Sequence, residues 1–529
     1  MRCRGRFCGG REPPKVCDDV RMSRLRLAIA SLFLLLLTAF SAAAQPRRVT
    51  SSPAEIAQRF AQLRSNPLEL YAFLYRMPKG GDLHMHLAGA VYAESLLRYA
   101  AQDHLCIDRN ALAIVARPAA GAECMPGQVD AGLTQTDNAL ENAMINSLSM
   151  RDFVPGAESG HDHFFATFDK FGHISGAHAG EFVAEVVERA ADQNESYLEL
   201  MALTGGKQIS ELGNRVGLDS DFESTRKKLD DAGLASLVSG FSAHVDQMEE
   251  GRVRLLNCRQ NPDSAPCRVQ VHYIFQVLRE SPKGAAFAQV LAGFALAASD
   301  ARVVAVNFVQ PEDGHISMHD FHLQMQMLDY AKRIYPSVHL ALHAGELASG
   351  LVPPDGLRFH VREAVELAHA ERIGHGTDVM YEKNAGELLA EMSKRRVAVE
   401  INLTSSDLIL GVRGDRHPFP VYRKSGVPVV LSTDDEAVSR THLTQEFQRA
   451  VITYNLSYPD LKQIVRNSLE YSFAPGASYW TTPGYVRRAS ACAFGRHTSS
   501  CEQFLQKNEK ARLEADLEER FDQFEKATR

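Results

Sequence analysis

The sequence predicts a (β/α)8, TIM-type barrel, and three observations carry that expectation. Short apolar or β-branched runs alternate with helical stretches along most of the chain. Eight such runs can be read in order, and acid, base and ligand side chains collect where several of them end. Alternation of this kind argues for βα units and a parallel sheet. Spread over about 360 residues, eight units suit a barrel with insertions. An open doubly wound sheet is the competing arrangement, but no Gly-rich phosphate loop follows the first run.

Taken in order, the chain reads as follows. An N-terminal segment, 45–77, contains "PAEIAQRFAQLRSNPLELYAFLYR", whose helical spacing is divided by Pro67 into two short helices. The eight strand runs are "DLHMHLAG", "SYLELMAL", "RVQVHYIFQVL", "RVVAVNFVQ", "VHLALHAGE", "RIGHGTDV", "VAVEINLTSS" and "VPVVLSTDD". Helices over Phe321–Ile334, Val361–Ala370 and Ala385–Lys394 fall between the later ones. The long interval between the first two runs holds Cys106, Cys124 and a Gly/Ala/Asn-rich stretch, and reads as an insertion over residues 104–160 with its own disulfide staple. The barrel is assigned to 78–480 and a helical extension to 481–529, ending in one charged amphipathic helix packed on the body.

The net charge of -7 argues against a nucleic-acid surface, which needs a basic patch. Arg24 and Arg26 precede the apolar run Leu27–Phe40, and Ala42, Ala43 and Ala44 stand ahead of Gln45. That is the layout of a secretory signal peptide over 22–44, with Met22 as its start and residues 1–21 as an upstream mis-start; the run is too short to span a bilayer. No cysteine marks the cleavage point, so no stable membrane anchor is expected. The mature protein is expected to be exported, periplasmic or secreted. Cys3, Cys8 and Cys17 lie upstream of the signal. The other cysteines fall as close neighbours, which favours local bridges Cys106–Cys124, Cys258–Cys267 and Cys492–Cys501 over free buried thiols in an exported chain.

The chemistry sits at the run ends. In "MPKGGDLHMHLAGA", His84 and His86 stand two apart and share one face of a strand. Alone, that pair fits a hydrogen-bonded barrel face as well as a metal site. The fifth run ends in His343-Ala344-Gly345-Glu346, the sixth in Gly374-His375-Gly376, the eighth in Thr433-Asp434-Asp435. A single histidine there reads as a core residue, and an Asp pair as a helix cap. Together, at the strand ends where barrel active sites form, they point to a metal site of the imidazole-and-carboxylate kind that binds Zn²⁺.

As a set, "MPKGGDLHMHLAGA", "LHAGE", "RIGHG" and "LSTDD" resemble the adenosine deaminase family of metal-dependent barrel hydrolases. "HPFPVYRKSGVPVVLSTDD" resembles that family's run into its last strand. The signal peptide, the stapled insertion and "VNFVQPEDGHISMHDF" make the chain most similar to the secreted adenosine deaminase-related growth factor branch. The resemblance covers Leu68 to Trp480. It implies one Zn²⁺ per chain on His84, His86, His343 and Asp434, with Glu346 as proton donor to the purine ring. It further implies that His375 and Asp434 orient and deprotonate the attacking water and that Asp435 contacts the purine; a metal of this type lowers the pKa of water toward ~7. The implied reaction is hydrolytic deamination of adenosine or deoxyadenosine to inosine and ammonia. The implied partner is a small-molecule purine nucleoside, and the branch points to a homodimer. The cytidine-deaminase zinc signature is absent.

Departures from the family pattern gather at the sugar end of the expected pocket. Leu87 and Ala88 follow the histidine pair where relatives carry an acid, and Gln310-Pro311 replaces a glycine that lets backbone approach the purine. Asn307-Phe308 stands for Asp-Leu, Glu436 for a proline, and "EINLTSS" for a Cys-Pro stretch. Two other readings therefore stand beside adenosine deamination. One is a deaminase of another 6-aminopurine or modified nucleoside, and the other is a non-catalytic secreted binding or signalling protein. A general acid at Glu346 speaks against the last.

Overall fold

The structure, a computed structural model, describes residues 53–528 except 175, 177 and 482. The expected signal peptide, the upstream segment and Cys3, Cys8 and Cys17 lie outside the described residues. Eight strands, all paired in parallel and in sequence order, build the centre. They are β1 (Gly80–His86), β2 (Glu195–Thr204), β3 (Gln270–Leu278), β4 (Val303–Val309), β5 (His339–Ala344), β6 (Arg372–His375), β7 (Ala398–Ile401) and β8 (Val429–Leu431). The circle closes just beyond β8. Asp434 N–H donates to His84 O at 2.9 Å and His86 N–H to Asp434 O at 3.0 Å, as a parallel bridge between Met85 and Asp434. Buried Asp82 reinforces the seam by accepting from Thr433 N–H (3.0 Å) and Oγ1 (2.7 Å).

The strands read as near-continuous apolar runs because both of their faces are covered, by barrel interior and by helices. Leu198, Leu200, Val306, Leu340, Ile373, Val399 and Val430 are all fully buried or nearly so. Arg372 sits between Glu199 and Glu400 at 2.5 Å each and lies over the Phe473 ring at 4.0 Å.

The expected N-terminal helices form over Pro53–Leu63 and Pro67–Arg76, the second capped by Asn66, whose side chain accepts from Leu68 and Glu69 N–H. All three local disulfides form. Between β1 and β2 lies a three-stranded antiparallel sheet, Cys106–Asp108, Ala113–Val115 and Gln128–Asp130, stapled by Cys106–Cys124. A helix over Gly160–Asp169, the cover helix, follows and lies across the mouth of the barrel cavity.

Three sequence expectations need correction. The run "VAVEINLTSS" is strand only to Ile401, and Leu403–Leu410 is helix because buried Glu446 accepts the Leu403 and Thr404 N–H groups at its start. The helix expected to Ala370 stops at Glu366, and His369 takes a left-handed φ of 61° that turns the chain into β6. The C-terminal segment is two helices, Ser499–Lys507 and Glu509–Ala527, rather than one. Asn508 is extended at the break, its Oδ1 accepting from Ala477 N–H and its Nδ2 donating to Phe504 O, both at 2.8 Å. Among the described residues no helix is long and apolar enough to cross a membrane.

Candidate active site

The strand ends place His84, His86, His343, His375, Glu346, Asp434 and Asp435 around one end of the barrel. Three of the imidazoles are set in the same way. His84 Nδ1 lies 2.6 Å from Glu400 Oε2, His86 Nδ1 3.0 Å from Gln276 Oε1, and His343 Nδ1 3.1 Å from Asn307 Oδ1. Carboxylate and amide oxygens only accept, so each Nδ1 carries a proton and Nε2 is the ring nitrogen left to face the other rings. Those nitrogens converge. His84 Nε2 and His86 Nε2 lie 3.3 and 3.4 Å from Asp434 Oδ1, and His86 Nε2 lies 3.2 Å from His343 Nε2.

This donor set fits a divalent cation. His84 Nε2 is buried without a hydrogen-bond partner. Tetrahedral zinc bonds of about 2.0–2.1 Å give ligand-to-ligand edges of about 3.3 Å, which the observed separations match. An acceptor behind each imidazole is the usual support of a metal-bound histidine. Ligand atoms of His375 also fall within 4.8 Å of those of His84, His343 and Asp434, and a second grouping joins His86, Asp434 and Asp435. The chain therefore offers more donors than a four-coordinate ion needs, leaving some free for water and substrate.

Electrostatics separate the roles open to these groups. Burial would raise Asp434, but the His84 contact and the neighbouring imidazoles hold it well below the usual carboxylate range, and Ser405 Oγ donates to its Oδ2 at 2.7 Å. Burial pushes His375 down to about 3, so its imidazole is neutral. Its Nδ1 is buried and unpartnered, while its Nε2 lies 3.7 Å from Glu346 Oε1. Burial, then the charges of Asp434 and Glu312, raise Glu346 well above its ordinary value, and burial with Asp434 does the same for Asp435. Two carboxyls are thus pushed up beside one that is held down, the arrangement expected of an acid/base site. Gly89 is required here, since a Cβ at that position would lie 1.7 Å from Asp435 Oδ1.

A cavity of about 520 Å³ opens above the cluster, walled by Phe164, Phe165 and Phe168 of the cover helix and by Met201, Leu278 and Val309. Ala88, Asp169, Thr204, Gln276 and Gln310 complete the wall. Gln310 stands in a backbone conformation that favours glycine. Its φ is 87°, and its side chain turns aside to accept from Glu280 N–H at 3.0 Å. Glu436, another departure, is buried 2.8 Å from Arg189 and is structural. Glu400, Gln276, Ser405 and the cover-helix aromatics escaped the sequence reading. Glu400 and Gln276 do carry a signal, each being polar within an otherwise apolar strand run; the cover helix carries none.

Residues 248–479 match the family model described as adenosine deaminase. The adenosine deaminase of Clostridium perfringens is 37% identical over 135 residues, 25% of this chain and 37% of that protein. That of Enterococcus faecalis is 36% identical over 138 residues, 26% of this chain and 37% of its own. The chain thus spans just over a third of the length of these curated relatives. Among solved structures, the apo N6-methyl-AMP deaminase from Arabidopsis thaliana is 20% identical, with a TM-score of 0.49 over 76% of this chain and 94% of that one. Over residues 248–479 the chain is similar to the adenosine deaminase family.

Proposed function

We propose that this protein hydrolytically deaminates adenosine or deoxyadenosine with one zinc ion per chain. The observation that carries the reading is the convergence of three Nδ1-anchored imidazoles on Asp434 beside a buried Glu346 whose carboxyl burial pushes up. His84, His86, His343 and Asp434 would hold the ion, which when bound supplies Lewis-acid chemistry and makes water a nucleophile near neutral pH. Glu346 gives its proton to the ring nitrogen as the amine-bearing carbon turns tetrahedral, the step that makes that nitrogen basic. Neutral His375 and ionised Asp434 accept and orient the protons of the incoming water. Protonated Asp435 donates a hydrogen bond to a second ring nitrogen. The aromatic wall covers the purine and keeps bulk water out. The proton taken from the water passes to the amine, which leaves as ammonia, and the added hydroxyl gives up its proton to Glu346 as it becomes the ring carbonyl.

Asp169 supports an intact sugar. It lines the cavity where Ala88 offers no acid, and among the described residues it forms no ion pair. It is also the last residue of the cover helix, where the helix dipole disfavours an anion. A second reading, another 6-aminopurine, draws on the apolar Leu87 and Ala88. Ammonia release from adenosine, deoxyadenosine, adenine and AMP, with and without chelator, decides between them. Silence on every purine overturns the reading.

We also propose that the protein is exported. Three disulfides in a chain that begins with a signal-like segment suit an oxidising compartment. An N-terminus at Gln45 in the mature protein, read by mass spectrometry, is the expected result.

A further inference from the structure

Glu312 lies just beyond β4 and is buried with only 2% of its surface exposed. Both of its oxygens face the turn after β5. Oε1 accepts the Gly345 N–H at 2.9 Å, and Oε2 accepts the Glu346 N–H at 2.8 Å. Behind them, His360 Nδ1 approaches Oε1 to 2.5 Å, and Arg279 Nη1 stands 3.8 Å from Oε2. Arg279 reaches the same turn by donating to His343 O at 2.8 Å, and Asn307 Oδ1 takes the His343 N–H at 2.9 Å. Arg279 and His360 are themselves fully buried.

The local backbone explains why a carboxylate is needed. Gly345 has a φ of 75°, and a Cβ there would lie 2.4 Å from Asp378 Oδ1. A left-handed residue at this point turns two successive N–H groups to one side, forming a concavity that suits an anion. A carboxylate offers two acceptors at a fixed bite. A glutamine offers one, and sets its NH₂ against the other N–H. We propose that Glu312 is the positioning residue of Glu346: its two-oxygen grip on the Gly345 and Glu346 amides, braced by His360 and Arg279, fixes the turn from which the general acid reaches the purine. This rests on the deaminase reading above. Glu312 touches no substrate and works only through the residue it holds.

The test uses the intact, metal-loaded protein and Glu312→Gln. Displacing an acid by about 1 Å can cost on the order of 10²-fold in rate, so kcat should fall about 10- to 100-fold. KM and metal content should change by less than about twofold, because the cavity wall and the ligands stay in place. Deuterium exchange at the Gly345 and Glu346 amides should rise without a matching rise across the barrel. In a Glu346→Gln background, Glu312→Gln should lower the residual rate no further, since a residue acting through another adds nothing once that one is gone. A full, multiplicative loss in that background, or unchanged exchange at 345–346, overturns the proposal. If Glu312→Gln does not fold, His360→Leu removes the brace and should lower kcat in the same direction. His360→Gln, which keeps a donor, should regain part of that loss, and no recovery overturns the proposal. Exchange needs no substrate. A protein silent on every purine therefore refutes the deaminase reading, while the exchange result still judges the grip.

Discussion

Nε2 of His86 and Nε2 of His343 meet at 3.2 Å, although each ring has committed its Nδ1 proton to an amide oxygen. Two lone pairs facing each other at that distance repel unless a cation lies between them. The protein should therefore carry one tightly held divalent ion per chain. His343→Ala should lose it, and Gln276→Leu, which removes only the acceptor behind His86, should weaken it by about 10- to 100-fold. Elemental analysis and chelator competition check both. A full complement of metal in His343→Ala would show that the cluster is not the site.

Glu346→Gln keeps the shape of the acid and removes its transferable proton. Its kcat should fall by about 10²–10⁴, the usual contribution of a general acid, with metal content and KM little changed. Steady-state kinetics on adenosine measure this. Wild-type turnover would rule out Glu346 as the proton donor.

Gln310 holds a left-handed backbone that favours glycine, at a cost of about 1–3 kcal/mol for an ordinary side chain. Glycine relieves that strain but adds freedom to the unfolded chain and loses the bond to Glu280 N–H. Gln310→Gly should thus stay within about 1 kcal/mol of wild type and remain active, whereas a β-branched Gln310→Val should cost about 2 kcal/mol. Denaturation midpoints compare the two. A Val variant as stable as the Gly variant would mean that the φ at this position is not enforced.

The contrast at Gln310 shows where sequence reasoning stops. Read as composition, the lost glycine suggested a changed approach to the purine; the turn holds Gln310 in a left-handed backbone that favours glycine and turns its side chain aside. The eight strands were legible because strands buried on both faces leave unbroken apolar runs. His84 and His86 were legible because a period of two puts them on one face. The groups that orient them were not. Glu400 stands 316 residues from His84 and Gln276 190 from His86, on strands whose spatial order only the closed barrel supplies. The cover helix follows an irregular insertion, and nothing in its own spacing says that Phe164 and Phe168 face a ligand cavity. Glu312 was likewise hidden, because its task is set by the backbone of a turn on the next strand.

Asp169 is expected to take the part that Ala88 leaves empty. Asp169→Ala should raise KM for adenosine and leave adenine unaffected, since only the nucleoside brings sugar hydroxyls to that end of the cavity. Ala88 and Asp169 line the same space, so Ala88→Asp placed in the Asp169→Ala protein should recover part of the affinity. Parallel kinetics on the two substrates read the result. Equal losses on adenosine and adenine would assign Asp169 to the fold of the cover helix and not to the sugar.

The cover helix is tied down by a titratable group. His161 Nε2 lies 2.9 Å from Asp313 Oδ1, on the loop that also carries Glu312, and its Nδ1 lies 3.1 Å from Asp162 of the same helix, with the Phe165 ring alongside. Burial pulls the imidazole down, but the hydrogen bonds and charges of Asp313 and Asp162 outweigh it and raise His161 above its usual value. A group whose folded pKa is raised stabilises fully below its unfolded value of about 6.5 and loses that contribution as pH climbs through the folded one. The latch should therefore be closed in weakly acidic solution and loosen on the alkaline side. A partly exposed pair of this kind is worth up to about 1 kcal/mol, so KM for adenosine should rise about two- to fivefold across that change. Deuterium exchange in 160–169 should rise over the same interval. Asp313→Asn removes the anion from the loop side; it should start with the higher KM at low pH and show a flatter profile. If the wild-type and Asp313→Asn profiles rise in parallel, some other group governs the pH response, and the cover helix is held by its apolar contacts alone.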